Sequence, residues 1–190
     1  MTEELTKDIL REKLLESKSL GWLIEPEKSE NILINKLLQK ASKTGKGGQG
    51  YPEFILTNPE HPELAIIVEC KKDKKFHESN DGKNISNYAV DGALHYSNAL
   101  SKEFNVIAIA ASGINEKNIK ISNFLQLKNN KHEKISSELL NPSNLYELYL
   151  SKISKSDFEL NSFTKNLNEQ LHDEDIKEDK RCLLISGILI

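Results

Sequence analysis

Only two cysteines occur in the 190 residues, Cys70 and Cys182, and they lie far apart along the chain. That excludes a disulfide-stapled scaffold, and with the five histidines it gives no zinc-ligand spacing. No apolar run approaches the ~20 residues needed to span a bilayer. The first ten residues are acidic and helix-like, not basic and then apolar as a secretory signal would be. The simplest expectation is a reduced, cytoplasmic protein with no membrane partner. Nor is there an excess of positive charge: 26 Lys and Arg against 29 Asp and Glu leave a formal net charge of −3. A globally basic nucleic-acid binder is excluded, but a local basic patch is not, because only the contacting face must neutralise phosphates.

What is present suffices for one folded domain with peripheral helices: 37% hydrophobic and 29% charged residues lie outside the disordered range. Thr2 is placed to cap a first helix with Leu5, Ile9, Leu10 and Leu14 on one face, stopped by Gly21. Pro26 suits the first turn of a second helix carrying Ile32, Leu33, Leu37 and Leu38 inward. Glycine-rich residues 42–50 then read as a loop. Residues 51–56 and the strongly apolar 64–70 read as strands, the latter suited to a central position buried on both faces. A polar loop over 71–87, a helix over 88–100 and a buried strand over 105–111, stopped by Ser112-Gly113, follow. Everything after about Ile121 reads as helical and polar, with Pro142 opening one helix and Asp173 capping another. No repeat is visible. The expected fold is α/β, a mixed central sheet flanked by helices with a helical C-terminal extension.

Three residues carry a chemical pattern. Glu53 follows Pro52 on the first of the paired strands, and Glu69 and Lys71 stand two apart near the end of the second. Residues two apart on a strand share a face, so Glu69 and Lys71 project together while Cys70 points the other way. If the strands are neighbours, Glu53 stands beside Glu69, and two converging carboxylates make a hard-oxygen site for magnesium. The backbone carbonyl of Cys70 is a further candidate ligand. Lys71 would then hold the attacking water and neutralise charge growing on a phosphate. An E-x-K pair at a strand end is often a plain solvated pair. A charge on an otherwise apolar central strand is harder to dismiss, because burying it unpaired is costly.

Residues 50–54 with Pro52-Glu53, 67–72 with Glu69-Cys70-Lys71, 88–96 and 106–113, taken in that order, resemble the N-terminal PD-(D/E)XK nuclease domain of restriction–modification enzymes. Type I restriction subunits and single-chain nuclease–methyltransferases belong to that group. The resemblance spans roughly Glu25 to Gly113. It implies a restriction-endonuclease-like fold and magnesium-dependent cleavage of double-stranded DNA, with manganese able to substitute. It also implies methyltransferase and target-recognition domains or subunits as partners. Glu53 would take the place of the usual aspartate ligand, Glu69 would be the second ligand and Lys71 the catalytic lysine. Glu30, read on the second helix, resembles an extra acidic residue near the metal. Tyr96 matches the tyrosine of the helix motif Gln-x-x-x-Tyr, but Gly92 stands where glutamine is expected. Asp91 and His95, four apart on the same helix, are alternative auxiliaries or an ordinary exposed pair.

The remaining motifs point to DNA contact at most. Residues 45–50 spell G-x-G-x-x-G, yet they lie between a helix and a strand, the reverse of a dinucleotide-binding turn. Lys43 and Lys46 of that loop are candidate phosphate contacts, as are Lys72, Lys74 and Lys75 just after the acidic pair. Cys70 reads as a core residue, and the serines show no nucleophile elbow. Residues 1–120 are expected to form the nuclease core and 121–190 a helical extension or linker. The apolar run 182–190 ends without a helix stop signal, suggesting continuation into a further domain. The alternatives are a catalytically inactive nuclease fold that docks DNA or a partner, and an unrelated α/β domain in which Glu53 and Glu69 do not converge.

Overall fold

The computed structural model describes residues 4–16, 20–43, 47–174 and 176–188. Chain order is α1 (Glu4–Leu15), β1 (Leu23–Pro26), α2 (Ile32–Leu38), β2 (Phe54–Thr57), β3 (Leu64–Lys71), α3 (Ala89–Leu100), β4 (Asn105–Ser112), β5 (Lys120–Gln126), β6 (His132–Ser136), α4 (Pro142–Asp173) and α5 (Glu178–Ile188). Among the described residues six strands form one sheet in the order β1-β2-β3-β4-β5-β6. β3 and β4 are parallel, and every other pair is antiparallel. A parallel pair needs a crossover, and α3 supplies it. The fold is thus α/β, a mixed sheet with helices against it. Among the described residues no helix is long and apolar enough to cross a membrane.

Alternation along β3 sets the layers. Ala65 and Ile67 join Ile55 of β2, Val106, Ala108 and Ala110 of β4, and Ile34, Leu38, Ala93, Tyr96 and Leu100 of α2 and α3 in one core. The intervening Leu64, Ile66, Val68 and Cys70 are buried as well, and α1, with Leu10 and Leu14 buried, lies against β3. A strand enclosed on both faces must be apolar throughout, which is why residues 64–70 form a near-continuous apolar run.

Four sequence expectations change. Pro26 closes strand β1 and does not open a helix; α2 begins after it, with Asn31 capping Leu33 and Ile34 through its side-chain oxygen. Glu30 therefore precedes α2 and is not on it. The stretch after about Ile121, expected to be helical, supplies most of β5 and all of β6. Asp173 ends α4 and does not cap the next helix. The chain divides into two compact units, Met1–Tyr146 and Glu147–Ile190, and β5 and β6 lie within the first. The second unit holds the rest of α4 and α5. Thr2, and Gly45 and Lys46 of the glycine-rich loop, lie outside the described residues.

Candidate active site

Glu69 sits two residues before the end of β3, on the face that carries Ala65 and Ile67 toward α3. Its side chain is fully buried. It fits because α3 presents Gly92 there: a Cβ at position 92 would stand 3.1 Å from Glu69 Cγ and 3.0 Å from the carbonyl oxygen of Ile85. A side chain at position 92 would press on Glu69 and on the Ile85 carbonyl, so glycine here leaves room for the buried carboxylate.

Glu53 reaches the same place through strand register. β2 pairs Phe54 with Val68, so the preceding Glu53 stands across from Glu69, its backbone N–H bonded to the Val68 carbonyl at 2.9 Å. The segment before it is held by Tyr96 of α3, whose hydroxyl accepts from the Tyr51 N–H at 3.2 Å. Gly50 lies against Tyr96 so closely that a Cβ there would meet Cε1 at 2.6 Å. Burial raises the pKa of Tyr96, and the charges of Glu69 and Glu53 raise it further, against a smaller opposing effect from the Tyr51 N–H. One phenol therefore senses both carboxylates.

The described residues bring three ammonium groups to these two acids. Lys71 Nζ lies 3.0 Å from Glu69 Oε1, and Lys43 Nζ bonds to that same oxygen. Lys7 of α1 pairs with Glu53 Oε2 at 2.6 Å. Lys43, expected on DNA phosphates, instead turns its ammonium to Glu69 and over the Tyr96 ring, 5.2 Å from its centroid. Burial raises the pKa of Glu69, and the charges and hydrogen bonds of Lys43 and Lys71 offset this only in part. Removing a carboxylate from water costs several kcal/mol unless partners compensate. Here one oxygen is doubly paired, while Oε2 is buried with no hydrogen-bond partner.

Comparison with known proteins gives no match: no family model, no curated protein and no solved structure aligns with the chain.

The donor set fits a hard divalent ion. Magnesium keeps several waters and takes one or two carboxylates, and Glu69 Oε2 is a buried oxygen without a hydrogen-bond partner on the residue that stands across from Glu53. Among the described residues no three His, Cys, Asp or Glu side chains gather as a larger cage. Glu30 does not contribute. It lines a hollow with Thr57 and Leu64, at the opposite end of β3 from Glu69, roughly 16 Å away at the usual rise of a strand. The Cys70 side chain is buried on the other face.

Asp91 and His95 serve structure. Asp91 is buried and accepts from the backbone N–H groups of Ser79 (3.2 Å) and Asn84 (2.8 Å) and from the Ser79 hydroxyl, pinning the segment between β3 and α3. A ring nitrogen of His95 lies 3.0 Å from the Ala41 carbonyl. Lys72, Lys74 and Lys75 are exposed just beyond Lys71. Asp73 caps their short turn, and Lys75 leans 3.4 Å from that carboxylate. Lys46 lies outside the described residues.

Sequence reasoning missed Lys7 and His77. Lys7 falls on the polar side of an amphipathic helix, and nothing local marks it as a partner of Glu53. His77 is buried, with its ring nitrogens 2.8 Å from Ser112 Oγ and 2.9 Å from Ser122 Oγ. Burial, aided by Lys120 and Lys134, lowers its pKa to about 4, so it is neutral at pH 7. Its position in a polar loop gave no signal.

Proposed function

We propose that this chain is a magnesium-dependent endodeoxyribonuclease domain of restriction-endonuclease type, acting at the end of β3. The reading rests on Glu53 standing across from Glu69 in the strand register, with Lys71 Nζ 3.0 Å from Glu69 Oε1 while the buried Glu69 Oε2 has no hydrogen-bond partner. The order Pro-Glu just before β2, then Glu-x-Lys on its antiparallel neighbour β3, followed by a crossover helix and a parallel strand, supports it. Magnesium held there would supply a Lewis acid for the phosphate and a bound water of lowered pKa.

The chain's own residues have separable tasks. Glu53 and Glu69 would hold the ion. Lys71, on the face of Glu69, orients the attacking water and stabilises the charge that grows on the phosphate oxygens. The water oxygen bonds to phosphorus as the bond to the leaving sugar oxygen breaks; the water gives a proton to solvent and the leaving oxygen takes one from solvent. Tyr96 holds Tyr51, and so Glu53, in line. The exposed Lys72, Lys74 and Lys75 provide positive charge beside the site for backbone contact without sequence readout.

The test is nicking of supercoiled DNA by the full chain with magnesium, against a chelator control. Glu69→Ala and Lys71→Ala are each expected to lower the rate at least ~100-fold, the order seen when an electrostatic catalytic group is removed, with circular dichroism unchanged. Undiminished cleavage by both variants would refute the assignment. A second reading, the same fold as a docking module without chemistry, draws on the lysines already engaging both carboxylates. It predicts no cleavage by the parent chain at any magnesium or manganese concentration.

A further inference from the structure

Charge count and geometry at the site disagree with a cation site that simply waits to be filled. Among the described residues Lys7, Lys43 and Lys71 face Glu53 and Glu69, a net charge of +1 for these five groups before any ion arrives, with the exposed Glu4 at the rim, 3.9 Å from Lys7. A divalent cation would make it +3. Some positive charge must withdraw, or an anion must enter with the cation.

The three lysines differ in what holds them. Lys71 is tied to Glu69 by the strand they share. Lys7 sits on Glu53. Lys43 comes from the segment after α2, with its backbone carbonyl fixed by the Ser86 hydroxyl at 2.9 Å and its side chain partly open to solvent. Its ammonium doubles the contact Lys71 already makes on Oε1, so Glu69 keeps a counter-ion if Lys43 swings out.

We propose that Lys43 is a built-in competitor for the divalent cation. It neutralises Glu69 in the resting protein and leaves when a phosphate of the nucleic-acid backbone offers it another anion. This rests on the cation-dependent reading above and adds its regulation: the cation and the nucleic acid bind cooperatively because each removes the obstacle to the other. Such coupling is reciprocal, so duplex DNA raises cation affinity by the factor by which the cation raises DNA affinity. The consequence is an enzyme that holds little metal away from its substrate.

A merely structural Lys43 would stabilise Glu69 and leave cation affinity alone or improve it. A competitor must weaken it. Calorimetric titration of the full chain with manganese chloride alone, at low ionic strength, separates the two. Lys43→Gln is expected to bind manganese about tenfold more tightly than the parent, as removal of one positive charge near a divalent ion implies. Lys43→Arg is expected to bind no more tightly than the parent, because a guanidinium grips a carboxylate in a two-pronged pair. Glu69→Ala is expected to lose the site. A generic duplex should raise the manganese affinity of the parent more than that of Lys43→Gln.

Equal or weaker binding by Lys43→Gln, with binding still dependent on Glu69, overturns the competitor role and leaves the cation site standing. Tighter binding by Lys43→Arg overturns it as well, and decides the matter should the glutamine variant fold poorly. No manganese binding by the parent or either Lys43 variant, with or without duplex, removes the cation reading and this inference together.

Discussion

At Glu69 burial raises the pKa, and Lys43 and Lys71 pull it back without cancelling that effect. Such a residue depends on the exact room it is given, and Gly92 supplies the room. Gly92→Ala would gain about 1 kcal/mol of helix propensity, but its methyl must push aside Glu69 or the Ile85 carbonyl. Neither yields readily: Glu69 is held by two lysines, and Ile85 follows Asn84, whose N–H is bound by Asp91. Overpacking of this kind costs about 1–3 kcal/mol, so a net loss of roughly 1 kcal/mol in urea unfolding is expected. An alanine variant as stable as the parent would show that the packing against Glu69 is looser than described.

The segment between β3 and α3 is polar and carries almost no regular structure, yet it is pinned at defined points. Asp91 gathers Ser79 and Asn84, and His77 reaches across to Ser112 of β4 and Ser122 of β5. A histidine whose folded pKa falls from 6.5 to about 4 contributes stability in full above pH 6.5 and loses it as pH drops toward 4. Between pH 7 and pH 5 the parent should lose about 2 kcal/mol through this group, at ~1.4 kcal/mol per pH unit below 6.5. His77→Gln should flatten that part of the pH profile; an identical slope in both proteins would contradict the role. Elements with a one-dimensional signature were legible in the sequence. β3 and β4 are apolar runs and α3 has helical spacing. β5 was not legible because Ser122, Asn123 and Gln126 are buried on it, satisfied by His77, by the Glu138 carbonyl at 2.9 Å and by Ser97 and Asn98. A strand whose buried positions are polar looks like a surface segment until its distant partners are known. β1 was hidden likewise, as four residues ending in proline at the sheet edge.

Across the first unit, the sheet sets one end apart from the other. The acids and lysines gather where β3 ends and β2 begins, while Glu30 sits with Leu64 at the far end. The Glu-x-Lys spacing was readable, because alternation along a strand is a local property. The three-lysine surround was not, since Lys7 and Lys43 approach from 46 and 26 residues away in sequence. The net charge of −3 hides this arrangement: the molecule is mildly acidic overall and cationic where phosphate chemistry would occur. Diffraction at the manganese absorption edge, from crystals of the full chain grown with manganese chloride and a short duplex, tests the central claim most directly. The account predicts one anomalous peak about 2.1 Å from Glu69 Oε2 and from a Glu53 carboxylate oxygen, the usual reach of a small hard cation, with Lys43 moved off Glu69. No peak there at saturating manganese, with Lys43 and Lys71 still on Glu69 and Lys7 still on Glu53, would contradict it.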